Sequence, residues 1–256
     1  MIKHFINFIY DEVESRRMGV LHASMDSSMY EEEFLPSREV ITEKVRNRSD
    51  VYFKRLDRGV RKFQMTFVID GIITSDRERI LKQWLDVEYY KPLQFVDDKE
   101  GRVIYCMPEG ETKITHTGMY GYLTVTMVSN SPYMYGNYKV LKVINDNNLE
   151  NSPSFVINNR GDKKIPIEMW IKKTNQSGGV KITNLRNGDV MEIRQLDLDE
   201  TVYIDGINKY IDTDNQFVVS RYDDFNNHWF ALDLGDNEFS VEGECEINIR
   251  YREKFL

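Results

Sequence analysis

The sequence predicts a mainly β protein with one short helix, folded as two domains. Three features carry that reading. Apolar and polar residues alternate along most segments, as in Phe63-Gln64-Met65-Thr66-Phe67-Val68-Ile69 and Tyr122-Leu123-Thr124-Val125-Thr126-Met127-Val128, so every second side chain faces a core. One segment alone, following Ser75, has helical spacing. Between Asn130 and Pro153 the period disappears among Ser131-Pro132-Tyr133, Gly136-Asn137 and Asn145-Asp146-Asn147-Asn148, which marks a junction. The expected division is a first domain over 1–135, a linker over 136–153 and a second domain over 154–256, in keeping with a chain of 256 residues.

Taken in order, strands are expected at 63–69, 103–107, 122–128, 155–158, 165–171, 180–183, 190–194 and 246–251, each from its alternating or β-branched run. Asp70-Gly71 and Asn187-Gly188 supply residues that tolerate positive φ, and Asn187-Gly188 is placed to turn a tight hairpin between two strands. Ser75 and Glu78 have capping-box spacing, and Ile80, Leu81, Trp84 and Leu85 then share one face. These residues predict a helix near 76–87 that lies as a lid across a sheet.

Hydrophobic residues make up 41% of the chain and aromatics 12%, enough to build a core and to exclude disorder. Lys+Arg number 34 against Asp+Glu 42, a formal charge of −8, which argues against a protein that coats nucleic acid or an anionic membrane. Cys106 and Cys245 are too few for a disulfide framework or a four-cysteine zinc site. Polar residues interrupt the N-terminal run, so no signal peptide and no membrane association are expected.

Catalytic signatures are missing from the sequence. His4, His22, His116 and His228 are scattered without metal-ligand spacing, and no phosphate loop or nucleophile elbow occurs. The acidic runs Asp197-Leu198-Asp199-Glu200 and Asp212-Thr213-Asp214-Asn215 invite a calcium or glycosidase reading. Counting from Asp212, however, the positions that need Gly and Glu hold Phe217 and Asp223, so solvated loops are the expectation. No cofactor and no metal site is predicted.

One local positive excess stands out. Residues 38–62 hold nine basic and four acidic residues with Tyr52 and Phe53 among them, a pattern that could grip phosphates or stack bases. It is read in preference as a long exposed hairpin or arm whose charges are solvated or paired across a subunit contact. Arg46, Arg48, Tyr52, Lys54, Arg55 and Arg58 are its candidate contact residues. Trp84 and Trp170 read as core; Trp229, beside His228, is the one candidate sugar platform of a lectin-like module.

Short matches along nearly the whole chain resemble the distal tail protein family of long-tailed phages. They comprise Phe5-Ile6-Asn7-Phe8, Met18-Gly19-Val20, Trp84-Leu85, Leu93-Gln94-Phe95-Val96-Asp97-Asp98 and Tyr105-Cys106-Met107-Pro108, then Ser131-Pro132-Tyr133. In the second half they are Ile157-Asn158-Asn159-Arg160-Gly161, Ile165-Pro166-Ile167, Ile182-Thr183-Asn184, Ile204-Asp205, Leu234-Gly235-Asp236-Asn237-Glu238-Phe239 and Ile247-Asn248-Ile249-Arg250-Tyr251-Arg252. Val45-Arg46-Asn47-Arg48-Ser49-Asp50 departs from the glycines that relatives often carry there.

The resemblance implies a non-catalytic virion component, assembled in the bacterial host cytoplasm. Its N-terminal domain, barrel- or sandwich-like, would form a homo-hexameric ring continuing the tail channel. A galectin-like C-terminal sandwich would project outward. The implied neighbours are the tail tube protein, a tail-tip or tail-associated protein and a receptor-binding protein, with DNA passing through the channel unbound.

Overall fold

The computed structural model describes residues 7–22, 35–69, 71–117, 121–146 and 154–256. His4, Phe5, Ile6, Asp70 and 147–153 lie outside the described residues. The chain divides into two compact units, 1–136 with Leu256, and 137–255.

The first unit contains β1 (Phe8–Tyr10), β2 (Val13–Glu14), β3 (Val20–His22), β4 (Arg38–Lys44), β5 (Val51–Arg58), β6 (Lys62–Ile69), α1 (Ser75–Leu85), β7 (Lys91–Phe95), β8 (Val103–His116), β9 (Gly121–Ser129) and the start of β10 (Met134–Asn145). Antiparallel pairing runs β2-β1-β7-β8-β9-β6-β3. The alternation read from the sequence places Met65, Phe67 and Ile69 of β6 and Leu123, Val125 and Met127 of β9 in one core.

That sheet curls on itself, because Phe8 of β1 stacks on Phe67 of β6 at 5.0 Å although the two strands lie far apart in the pairing order. Trp84 of α1 closes the core: it stacks on Phe8 at 5.9 Å and donates its indole N–H to the Tyr10 carbonyl at 3.1 Å. Tyr10 in turn donates its hydroxyl to the Cys106 carbonyl at 3.2 Å. A large aromatic buried with its polar atom satisfied stabilises by about 1.5–3 kcal/mol.

Three expectations need correction in this unit and at its boundary with the next. The helix cap is Thr74, whose side chain accepts from the Arg77 amide, and the helix begins at Ser75. Ile80 is 48% exposed, so the buried stripe is Leu81 and Trp84 with Leu85 half-buried. The stretch expected as a linker from residue 136 carries strand β10 as far as Asn145. Its exposed face reads Tyr138, Val140, Lys142, Ile144, an alternation the preceding Ser-Pro and Gly-Asn signals masked.

The second unit is a two-sheet sandwich. It adds β11 (Ser154–Asn159), β12 (Ile165–Pro166), β13 (Glu168–Lys173), β14 (Gly178–Asn184), β15 (Val190–Leu196), β16 (Thr201–Asp205), β17 (Tyr210–Thr213), β18 (Ala231–Leu232), β19 (Gly235–Glu242) and β20 (Cys245–Phe255). One sheet runs β17-β16-β13-β20-β10 and the other β11-β19-β14-β15, with β12-β18 as a small ribbon. Between them lie Ile157, Met169, Ile171, Val180, Ile182, Met191, Ile193, Val202, Ile204, Phe239, Val241, Ile247 and Ile249, all buried.

Buried asparagines fix the turns of this sandwich. The Asn159 amide donates to the Lys163 and Leu232 carbonyls at 2.8 and 3.2 Å while its oxygen accepts from the Gly161 amide at 3.0 Å. A Cβ on Gly161 would sit 2.6 Å from the Lys254 carbonyl oxygen, which accounts for the glycine in Asn159-Arg160-Gly161.

Two readings change here. The expected continuous strand over 165–171 is interrupted between β12 and β13. β14 and β15 do form the expected hairpin, but over the loop Leu185–Asp189 rather than a two-residue turn. Gly188 adopts φ 76° in that loop and donates to the Asn184 carbonyl at 2.8 Å.

Candidate assembly interface

β4 and β5 form a hairpin to which no other strand among the described residues is paired, and most of its residues are exposed. A two-stranded ribbon of this kind is marginal in water on its own. Val40, Val51, Tyr52 and Phe53 are 56%, 55%, 48% and 65% exposed, so both faces of the ribbon present apolar surface without a core. Its base is tied by the Gly59 amide, which donates to the Ser37 carbonyl at 2.9 Å, and by Arg61, which donates to the Pro132 carbonyl at 3.0 Å.

Cross-strand register sets like charges against one another: Arg38 faces Arg58 and Glu39 faces Asp57. Such pairs destabilise an isolated ribbon. Of the candidate residues, Lys54 pairs with Glu43 at 2.8 Å and Arg55 with Asp57 at 3.0 Å. Arg48 lies over the Tyr52 ring at 5.7 Å and donates to its hydroxyl. Arg46 is exposed in the turn, where Asn47 adopts φ 66°, a left-handed conformation that asparagine tolerates. The structure therefore brings Arg46, Arg48, Tyr52, Lys54, Arg55 and Arg58 onto one exposed arm.

Trp229 is elsewhere, half-buried against the sandwich core with its ring edge-to-face on Phe225 at 4.8 Å. Trp170 is not a core residue as expected. It lies on the outer face of β13, the side opposite Met169 and Ile171, in a row that crosses the sheet: Tyr203 at 4.9 Å, then Arg250 over Trp170 at 5.3 Å and over Tyr138 at 5.3 Å. Glu168 fixes the row, accepting two bonds from Arg250 at 2.7 and 2.8 Å and one from the Tyr203 hydroxyl at 2.9 Å. The Arg250 hydrogen bonds, outweighing burial, hold the Glu168 carboxyl below its usual range.

The acidic runs are not simply solvated. Glu200 is 4% exposed and receives both arms of the Arg221 guanidinium, the Thr213 hydroxyl at 2.6 Å and the Asp197 amide at 2.8 Å. Arg221 also reaches Asp224 at 2.9 Å. Burial alone would raise the Glu200 pKa, but these bonds and the Arg221 charge overcome it and carry the group down to about 2. The two acidic runs were visible in the sequence, but Arg221, 21 residues from Glu200, offers no local spacing that would pair it with them.

Family models for a phage tail protein N-terminal domain and a phage tail C-terminal domain match residues 3–131 and 133–251. An SPbeta prophage-derived protein of Bacillus subtilis, YomH, is 25% identical over 258 residues, covering 100% of both chains. The crystal structure of the Dit protein of phage SPP1, described as a paradigm of the hub adsorption apparatus in phages infecting Gram-positive bacteria, superposes with a TM-score of 0.70 at 13% identity. The match covers 98% of this chain and 99% of that one. A chain of the phage p2 baseplate in its activated conformation with Ca gives a TM-score of 0.49 at 7% identity, over 98% and 99% of the two chains. The chain is therefore a virion structural protein with the fold of the Dit hub, and it belongs to the phage tail protein family that these N- and C-terminal domains define.

Proposed function

We propose that this chain is the distal tail hub of a long-tailed phage: a homo-hexameric ring that joins the tail tube to the tip or baseplate, holding tail-tip and receptor-binding proteins through its second unit. The observation that carries the reading is the β4-β5 arm, which exposes apolar residues on both faces and sets like charges against each other. Such a ribbon gains stability when a neighbouring subunit covers it. Ring closure is a head-to-tail contact that needs two different complementary patches per subunit, and the positive arm supplies one to an otherwise acidic chain. DNA passes such a wall without adhering, in keeping with the charge of −8. The role is structural.

Changing Arg46, Arg48 and Arg55 together to Glu tests the contact. The expected result is a folded chain, unchanged by circular dichroism, that no longer shows six-fold rings in negative-stain images. Rings that persist would remove the arm from the contact. A lectin-like module built on Trp229 is the second reading, favoured only by the part of that ring left exposed. It requires saccharide binding on a glycan array that Trp229→Ala abolishes.

A further inference from the structure

We propose that the second units of neighbouring copies also engage one another, the loop after β17 of one copy seating in a groove beside β10 of the next; this rests on the ring reading above. In that loop Phe217 is 97% and Val219 104% exposed, an apolar pair in full contact with water. Such exposure usually accompanies slack backbone, yet this loop is held at both ends. Asn215 accepts from the Phe217 amide at 3.0 Å, donates to Asp197 at 2.8 Å, and accepts at its carbonyl from the Val218 amide at 3.1 Å. On the far side the buried Arg221–Glu200 pair and a bond from Arg194 to the Asp223 carbonyl at 2.7 Å fix the return. The result is a preorganised apolar knob, which loses little conformational entropy on binding.

The groove is an open depression of about 500 Å³, lined by Lys139, Val140, Leu141, Val156, Arg160 and Tyr251 among others. Val140 and Val156 are 70% and 55% exposed there. Its volume accommodates an aromatic side chain. Charge matches as well as size. The 212–224 segment carries Asp212, Asp214, Asp223 and Asp224 against Arg221 alone, while the groove offers Lys139 and Arg160, of which Lys139 is shared with Glu253 at 2.7 Å. An anionic membrane is a poor occupant for a knob so flanked by carboxylates. Position selects a second copy: within the second unit the sheet runs β17-β16-β13-β20-β10, so the knob leaves one side of the unit and the groove, beside the part of β10 that lies beyond its Tyr135–Val103 pairing with β8, borders the other. Patches at opposite edges of one unit are what a head-to-tail contact between copies uses.

The test places the photo-reactive residue p-benzoylphenylalanine at position 217 of the full chain and irradiates an equal mixture of ¹⁵N-labelled and unlabelled copies. Because Phe217 makes no core contact, the replacement leaves folding intact. The expected product is a mixed-isotope link from 217 to 139–141, 156–160 or 251. Arg160→Glu lowers its yield about tenfold, and adding Asp214→Arg restores it. A hexamer that links within one chain, links elsewhere on its neighbour, or links to nothing overturns the inference and leaves the ring reading standing. A chain that stays monomeric overturns both. Flotation of the chain with phosphatidylglycerol vesicles, lost in Phe217→Ser, would assign the knob to a membrane instead and also overturn it.

Discussion

Glu200 shows how a single buried carboxylate couples fold to pH. Its folded-state pKa is about 2, against an ordinary value of 4.5, so its stabilising contribution is complete above the ordinary value and is lost as pH falls from there through the folded value. Of roughly 3 kcal/mol in total, about 2 kcal/mol should disappear between pH 5 and pH 3. Urea midpoints at those two pH values check this: the wild-type chain loses more stability over the interval than Glu200→Gln does. At neutral pH the same variant should be less stable by about 3 kcal/mol, because Arg221 keeps its burial and loses its main partner. Equal pH dependence in the two proteins would contradict the assignment. At this scale the sequence said least. The Arg221 partners lie on segments that meet only once β16 and β17 pair, and the Trp170-Arg250-Tyr138 row requires three strands in register before it exists.

At the scale of elements, strand positions were legible because one buried face forces period two, and β6 and β9 pair through their whole alternating runs. The helix was legible through Leu81 and Trp84, but its cap was read one residue late. Ser75 and Thr74 are both competent cap residues, and only the backbone decides: Thr74 is extended, with φ −102° and ψ 158°. Thr74→Ala should therefore lower stability by about 1 kcal/mol, whereas Ser75→Ala should change it by less than about 0.5 kcal/mol. Thermal denaturation of the two variants separates the alternatives, and the reverse order would restore Ser75 as the cap. The exposed arm was legible too, from its charge excess, since alternation without a buried face leaves charge as the remaining signal. Strand β10 was missed because a Pro and a Gly precede its regular part and its exposed face is apolar.

For the whole molecule, the chain's acidic balance and β-rich halves said what it does not do more clearly than what it does. Two units, each closing on its own core, one α-helix among the described residues and an exposed arm describe a building block, and the fold it shares with the SPP1 Dit protein fits that description. In the proposed ring, contacts made by the arm's exposed charges would weaken as salt rises, since contacts between solvated charges are screened over about 10 Å at 0.1 M salt. The mass of the full chain by light scattering at low salt tests the central claim most directly. The account predicts six times the 30.3 kDa chain, with dissociation as salt rises. A single-chain mass at every concentration, unchanged when tube and tip proteins are added, would contradict it.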